Sequence, residues 1–162
     1  PSLPAGYAPF GIANIDGNLF VTYALQDADK HDDVAGGGHG YVDVFDTNGN
    51  PIAHFAGRGR LNSPWGIARA PLGFGKFAGA ILIGNFGDGR INAFDPRSGK
   101  PLGQLPGTNG KPVTIDGLWG LSFGGATGSN PGTLYFTAGP GGESHGLFGS
   151  LEPGASPTSK PW

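Results

Sequence analysis

One short motif recurs along this chain at nearly constant spacing: Pro9-Phe10-Gly11-Ile12, Pro64-Trp65-Gly66-Ile67 and Leu118-Trp119-Gly120-Leu121. The aromatic residues stand 55 and 54 residues apart, so the chain consists of three copies of one unit. A repeat of this kind constrains architecture before local propensity does.

The segments behind each motif repeat too. Leu19-Phe20-Val21-Thr22, Ile81-Leu82-Ile83-Gly84 and Leu134-Tyr135-Phe136-Thr137 are apolar runs rich in β-branched and aromatic residues, the composition of buried strands. In Gly40–Asp46 and Gly89–Asp95, Val42/Val44 and Ile91/Ala93 alternate with Asp43 and Asn92, which predicts half-buried strands. Gly146–Glu152 is a weaker third copy. Asp46-Thr47-Asn48-Gly49-Asn50 and Asp95-Pro96-Arg97-Ser98-Gly99-Lys100 have the chemistry of hairpin turns. Pro51–Phe55 and Pro101–Leu105 follow as short fourth strands, where a leading Pro suits an outer edge.

Each unit is therefore four antiparallel strands on a period of about 40 to 55 residues, the size of a propeller blade. No window has helical periodicity, and 33 Gly and 15 Pro in 162 residues disfavour long helices. The expected class is all-β, a β-propeller with four-stranded blades. Residues 1–8 lead in, 9–60 and 61–115 are blades, 116–152 is an incomplete blade of three strands, and 153–162 is a C-terminal tail. Three blades fall short of the four to eight of a closed propeller. The expectation is half of a six-bladed ring: the chain reads as a fragment whose missing N-terminal half would carry roughly three more blades and the closing strand. Two copies pairing into one ring are the alternative, so that the other half is a second copy or another chain. Alone, its end blades would expose apolar faces and destabilise the monomer.

Pro64–Ile67, Gly84–Asp95, Asp116–Leu121, Tyr135–Pro140 and Tyr23–Gly36 resemble the C-terminal half of a group of uncharacterised secreted bacterial proteins. These are NHL-like six-bladed β-propellers, some with PEP-CTERM sorting tails. The resemblance runs from Leu3 to Leu151 and implies a fold and a secreted, extracellular or periplasmic location, with no activity attached. From Glu152 to Trp162 no hydrophobic anchoring segment follows.

Composition narrows the chemistry. The absence of Cys removes disulfides, thiolate metal sites and cysteine nucleophiles together. Ten basic and 12 acidic residues, scattered, give a net charge of −2 and argue against nucleic acid as a partner. No apolar run is long enough for a membrane span.

In a propeller the connections between strands two and three, and between one blade and the next, emerge at one end. That end gathers Gln26–Gly40, Gly84–Gly89 and Ala138–Gly146 with Asn62 and Asp116. Two metal sites are candidates there. Asp27, Asp29, Asp32 and Asp33 offer hard oxygen ligands for Ca²⁺, although the EF-hand pattern is incomplete and a solvated acidic loop is the simpler reading. His39, Asp88 and His145 stand before Gly40, Gly89 and Gly146, equivalent places in three blades. If they converge they form a 2-His-1-carboxylate site for Zn²⁺ or another transition metal; if not, each caps a turn. Asn85, Phe86, Arg90 and Glu143 are candidate ligand contacts, and Phe86 and Trp162 candidate stacking surfaces. Trp65 and Trp119 are expected to pack in the core, and His54 to solvate an outer edge.

These residues favour a secreted binding or scaffold module with its contact at the loop-rich face, and lean away from an enzyme. The alternatives are a metal-dependent hydrolase or lyase of the NHL-propeller type and a purely structural extracellular protein.

Overall fold

The computed structural model describes residues 3–125, 129–153 and the strand 158–161. Twelve strands among them form three antiparallel sheets of four, each in chain order. The first sheet is β1 (Tyr7–Ile15), β2 (Asn18–Leu25), β3 (Gly40–Phe45) and β4 (Pro51–Gly57). The second is β5 (Pro64–Arg69), β6 (Ile81–Asn85), β7 (Ile91–Phe94) and β8 (Pro101–Gln104). The third is β9 (Leu118–Phe123), β10 (Leu134–Ala138), β11 (Leu147–Leu151) and β12 (Thr158–Pro161). Only a 3-10 turn at Gly75–Phe77 and a helical turn at Pro140–Glu143 are not strand or loop among the assigned elements.

The third sheet corrects the expectation of three strands. β12 pairs with β11 from Ser150↔Thr158 to Leu147↔Pro161, inside what the sequence suggests is a tail. Thr-Ser-Lys-Pro carries no apolar alternation, and an outermost strand needs none: its ladder bonds come from the neighbouring backbone. Residues 154–157 and Trp162, the latter a candidate stacking residue, lie outside the described residues.

The sheets stand side by side with their first strands innermost, β1 against β5 and β5 against β9, a propeller-like arrangement. The close approach of these strands explains the recurring aromatic-Gly pair. A Cβ on Gly11 would lie 2.4 Å from the Trp65 carbonyl oxygen, and one on Gly66 would lie 2.6 Å from that of Trp119. No side chain fits between a backbone and a carbonyl at that distance, so each inner strand admits the next only through its glycine. Thr22, fully buried, adds a bond by donating its hydroxyl to the Trp65 carbonyl at 3.2 Å.

Two apolar layers fill the spaces between sheets. Ile15, Phe20, Val42 and Val44 of the first sheet meet Ile67, Ile81, Ile83 and Phe94 of the second. Ala68, Leu82, Ile91 and Ala93 on the other face of the second meet Leu118, Leu134, Phe136 and Leu151 of the third. The middle sheet is thus covered twice, and all five residues of β6 are buried. The end sheets are covered once: β2 alternates from Leu19 onward between half-buried and buried, as does β10 between buried and more open positions.

The third strands depart from the expected half-burial. Asp43 is 1% exposed and Asn92 fully buried, because each has a polar partner directly across the ladder. His54 donates its Nδ1–H to Asp43 Oδ1 at 2.6 Å, and Gln104 donates Nε2–H to Asn92 Oδ1 at 3.0 Å. His54 therefore does more than solvate an edge: it gives a hydrogen bond to a buried carboxylate.

Candidate functional site

The connections expected to share one end of the sheets do meet there. His39 and Asn62 form a parallel bridge, the Gly87 N–H donates to the Asn62 carbonyl at 3.2 Å, and the Gly139 N–H donates to the Gly117 carbonyl at 2.8 Å. Asn62, 9% exposed, ties the loops of two sheets: its Oδ1 accepts the Gly36 N–H at 2.6 Å, and its own N–H donates to Asn85 Oδ1 at 3.2 Å. A Cβ on Gly87 would strike that Oδ1 at 2.1 Å, so glycine is required opposite it.

The metal set His39, Asp88 and His145 is not brought together. Among the described residues no three His, Asp or Glu side chains group closely enough to hold an ion. The reason is local for two of them. His39 donates Nδ1–H to the Val34 carbonyl at 2.8 Å, which turns the ring back along its own loop. Asp88 Oδ1 accepts the Asn85 amide at 3.0 Å and the Arg90 N–H at 3.2 Å, closing its own turn. His145 is exposed at the end of the third sheet's loop.

The acidic insertion also folds on itself. Gln26 and Asp33 form an antiparallel bridge, the Asp27 N–H donates to the Asp32 carbonyl at 2.9 Å, and Lys30 takes a positive φ of 56°. Asp27 Oδ1 accepts the His31 N–H at 2.9 Å, and that bond holds its carboxyl below the ordinary carboxylate value. Asp32 Oδ1 accepts the Asp33 N–H at 3.0 Å, while Asp29 is exposed at the tip. Two of the four carboxylates are thus engaged in turn chemistry instead of converging on a centre. Between this turn and the start of β1 lies a cavity of about 150 Å³ lined by Pro9, Phe10, Leu25, His31 and Asp33.

Of the candidate ligand contacts, Asn85 is structural. It is fully buried, its amide donating to the Arg60 carbonyl at 2.8 Å as well as to Asp88. Phe86 and Glu143 do reach a common surface, together with residues the sequence suggests are core. Phe10 and Trp65 lie 4.5 Å apart between ring centroids, Phe86 lies 6.1 Å from Phe10 and 6.0 Å from Trp65, and Trp119 lies 6.4 Å from Trp65. All four rings are half-buried. The motif aromatics are therefore not sealed in the core. They begin the innermost strands, where one edge packs and the other opens toward the loop-bearing end.

Glu143 stands at the edge of this cluster, its Oε1 accepting the Trp119 indole N–H at 2.7 Å. The turn carrying it is built from three residues in the left-handed region, Gly141, Gly142 and Glu143, at φ of 66°, 64° and 63°. The Gly141 N–H is anchored on Asp116 Oδ2 at 2.9 Å, and the Ser144 hydroxyl on the Gly141 carbonyl at 2.9 Å. A non-glycine residue in that conformation costs about 1–2 kcal/mol and persists only where its surroundings hold it. Arg90 is exposed beyond the Asn85–Asp88 turn. Four π surfaces edged by a fixed carboxylate can hold flat groups and cations.

No family model matches the chain. Three uncharacterized proteins of Acanthamoeba polyphaga mimivirus are similar in sequence. One is 42% identical over 121 residues, which is 74% of this chain and 30% of that protein. The second is 38% identical over 92% of this chain and 39% of that protein, and the third 34% identical over 84% and 25%. The chain thus spans between a quarter and two-fifths of the length of these relatives. A protein of unknown function from Bacteroides caccae, known from its crystal structure, is similar in fold with a TM-score of 0.54 and 16% identity, over 94% of this chain and 44% of that one. A catalytically inactive virginiamycin B lyase from Staphylococcus aureus, crystallised with quinupristin, aligns at a TM-score of 0.45 and 12% identity, over 95% of this chain and 55% of that one.

Proposed function

We propose that this chain is part of a secreted, NHL-like propeller whose role is binding, and that its loop-bearing end takes up a cationic or flat group of a ligand or partner. The observation that supports this is the half-buried cluster of Phe10, Trp65, Phe86 and Trp119, with Glu143 fixed against the Trp119 indole. Aromatic faces left partly in solvent at the meeting point of three sheets cost hydrophobic burial that a bound group would recover. The carboxylate adds attraction for a guanidinium or ammonium resting on the rings, an arrangement worth about 0.5–2 kcal/mol per contact. The hydrolase or lyase alternative draws less support, since His39 and Asp88 are engaged within their own turns.

The test uses the emission of Trp65 and Trp119 in a Trp162→Phe background. Titration with a hexa-arginine peptide should give a saturable change that Glu143→Gln weakens several-fold, and a neutral oligosaccharide serves as the uncharged comparison. No saturable change with either probe would refute a binding role for this end.

A further inference from the structure

We propose that the cavity between the second and third sheets binds a small molecule built of one aromatic ring and a carboxylate, the ring held among apolar side chains and the carboxylate by Lys76.

The cavity comes from an insertion. In the first sheet β1 and β2 are joined by Asp16 and Gly17 alone, whereas β5 and β6 are joined by residues 70–80. That longer connection is fixed by its own backbone. The Ala70 N–H donates to the Ala80 carbonyl at 2.9 Å, the Gly79 N–H to the Ala70 carbonyl at 3.1 Å, and the Phe74 N–H to the Pro71 carbonyl at 3.0 Å. It sends two rings back between the sheets. Phe74 meets Phe123 of β9 edge to face, with centroids 5.0 Å apart. Phe77 lies along Gly103 of β8, where a Cβ would stand 3.4 Å from its Cζ. Leu105 and Val113 form another wall on the connection that leaves β8, the Val113 N–H donating to the Leu105 carbonyl at 2.9 Å. Leu151 closes the space from the end of β11, on the covered face of the third sheet.

The enclosed volume is about 210 Å³, and those five side chains are each 4–6% exposed. Every residue lining it belongs to the second or third sheet or to a connection within or between them, so the outer faces of the end sheets take no part. Native cores hold few voids larger than a water molecule, and an apolar cavity of about 150 Å³ stays dry and takes up benzene. The larger space here suits an aromatic ring with a short tail.

Two charged side chains stand at its mouth, and they are not equivalent. Lys76 places Nζ 4.7 Å from the Phe77 ring centroid, over a wall of the cavity, and among the described residues it has no ion pair. Glu152 Oε1 accepts the Thr133 hydroxyl at 3.2 Å, which draws that carboxylate toward the loop before β10. The charge left to meet a ligand is the ammonium, and the group it takes is an anion.

Saturation-transfer NMR on the full chain tests this with phenylpropionate, and with phenylpropanol as the same ring without the charge. The expected result is saturable binding of the acid, several-fold tighter than that of the alcohol. Lys76→Gln should remove the difference while leaving the alcohol unchanged. Val113→Phe, which puts a ring where the ligand's would lie, should abolish both. Leu105→Phe takes its place if circular dichroism shows that the first variant does not fold. No saturable signal up to about 10 mM, equal binding of acid and alcohol, or binding that the folded cavity-filling variant retains would overturn the proposal. None of these outcomes bears on the aromatic end, where hexa-arginine reports on a cation at different residues.

Discussion

Ser63 occupies in the second sheet the place that Gly117 occupies in the third. Each immediately precedes the inner strand, each has a positive φ, 48° and 62°, and each carbonyl accepts the N–H of the residue just past the second strand, Phe86 at 2.9 Å and Gly139 at 2.8 Å. Gly6 makes the same kind of bond with Gln26 in the first sheet at 2.8 Å, with a φ of 90°. The turn therefore calls for the left-handed conformation, and in one sheet of three a serine has to adopt it.

Replacing Ser63 with Gly should stabilise the chain. Ser63 is fully buried and its Oγ has no hydrogen-bond partner, so strain of about 1–2 kcal/mol is joined by a desolvated hydroxyl. The extra chain entropy of glycine returns about 0.5–1 kcal/mol of that. A net gain of about 1 kcal/mol should appear as a higher urea midpoint, and a lower midpoint would show that the hydroxyl is supported.

Gly66→Ala should be among the most damaging small substitutions available. Its Cβ would meet the Trp119 carbonyl oxygen at 2.6 Å and the Leu121 N at 2.8 Å, both backbone atoms that move only if the third sheet moves. Overpacking of this kind costs about 1–3 kcal/mol, and the upper end is expected here. Gly146→Ala, with nothing within 4 Å of its Cβ, is the matched control and should leave the urea midpoint unchanged.

The repeat, the strands and the gathering of loops at one end were legible because aromatic-Gly spacing and period-two apolar patterns follow from backbone geometry alone. What escaped depends on contacts between units. Asp43 looks like the solvent half of an alternating strand until His54 is placed across from it. Trp65 and Trp119 look like core until the register shift at each motif and the half-burial of each ring are seen. His39 and Asp88 look convergent because equivalent positions in a repeat suggest a common axis. Each loop's own hydrogen bonds decide where its side chain goes. Asn62, the pin between two loops, carries no sequence signal beyond its place before a motif.

The pairs Asp43–His54 and Asn92–Gln104 hold the same cross-strand position in neighbouring sheets, so one should substitute for the other. His54→Ala takes the donor from a carboxylate that is 1% exposed, and because the His54 ring is itself 44% exposed the loss should be about 1–2 kcal/mol. Asp43→Asn with His54→Gln rebuilds the second sheet's pair in the first and should recover most of that loss. A double-mutant cycle in urea checks it: the two changes should couple favourably by about 1 kcal/mol or more, and strict additivity would mean that the pair contributes nothing as a pair.

Acid should destabilise the chain partly through two equivalent hairpin turns. Asp46 Oδ1 accepts the N–H groups of Asn48 and Asn50 while Oδ2 accepts the Asn50 amide, and Asp95 Oδ1 accepts the N–H of Arg97 and both the N–H and hydroxyl of Ser98. The side-chain bond from Asn50 and that from Ser98 are the chief reasons that both carboxyls titrate below the ordinary 3.8. With the native value depressed, the unfolded chain takes up protons first as pH falls. The contribution is therefore complete well above 3.8 and is lost as pH drops through the lowered native values. Urea midpoints measured from pH 7 down to pH 3 should be level in the upper range and fall in the lower. The fall should be shallower in the Asp46→Asn, Asp95→Asn double variant, whose turns keep an acceptor and lose the titrating charge. An identical acid slope in that variant would assign the effect to other carboxylates.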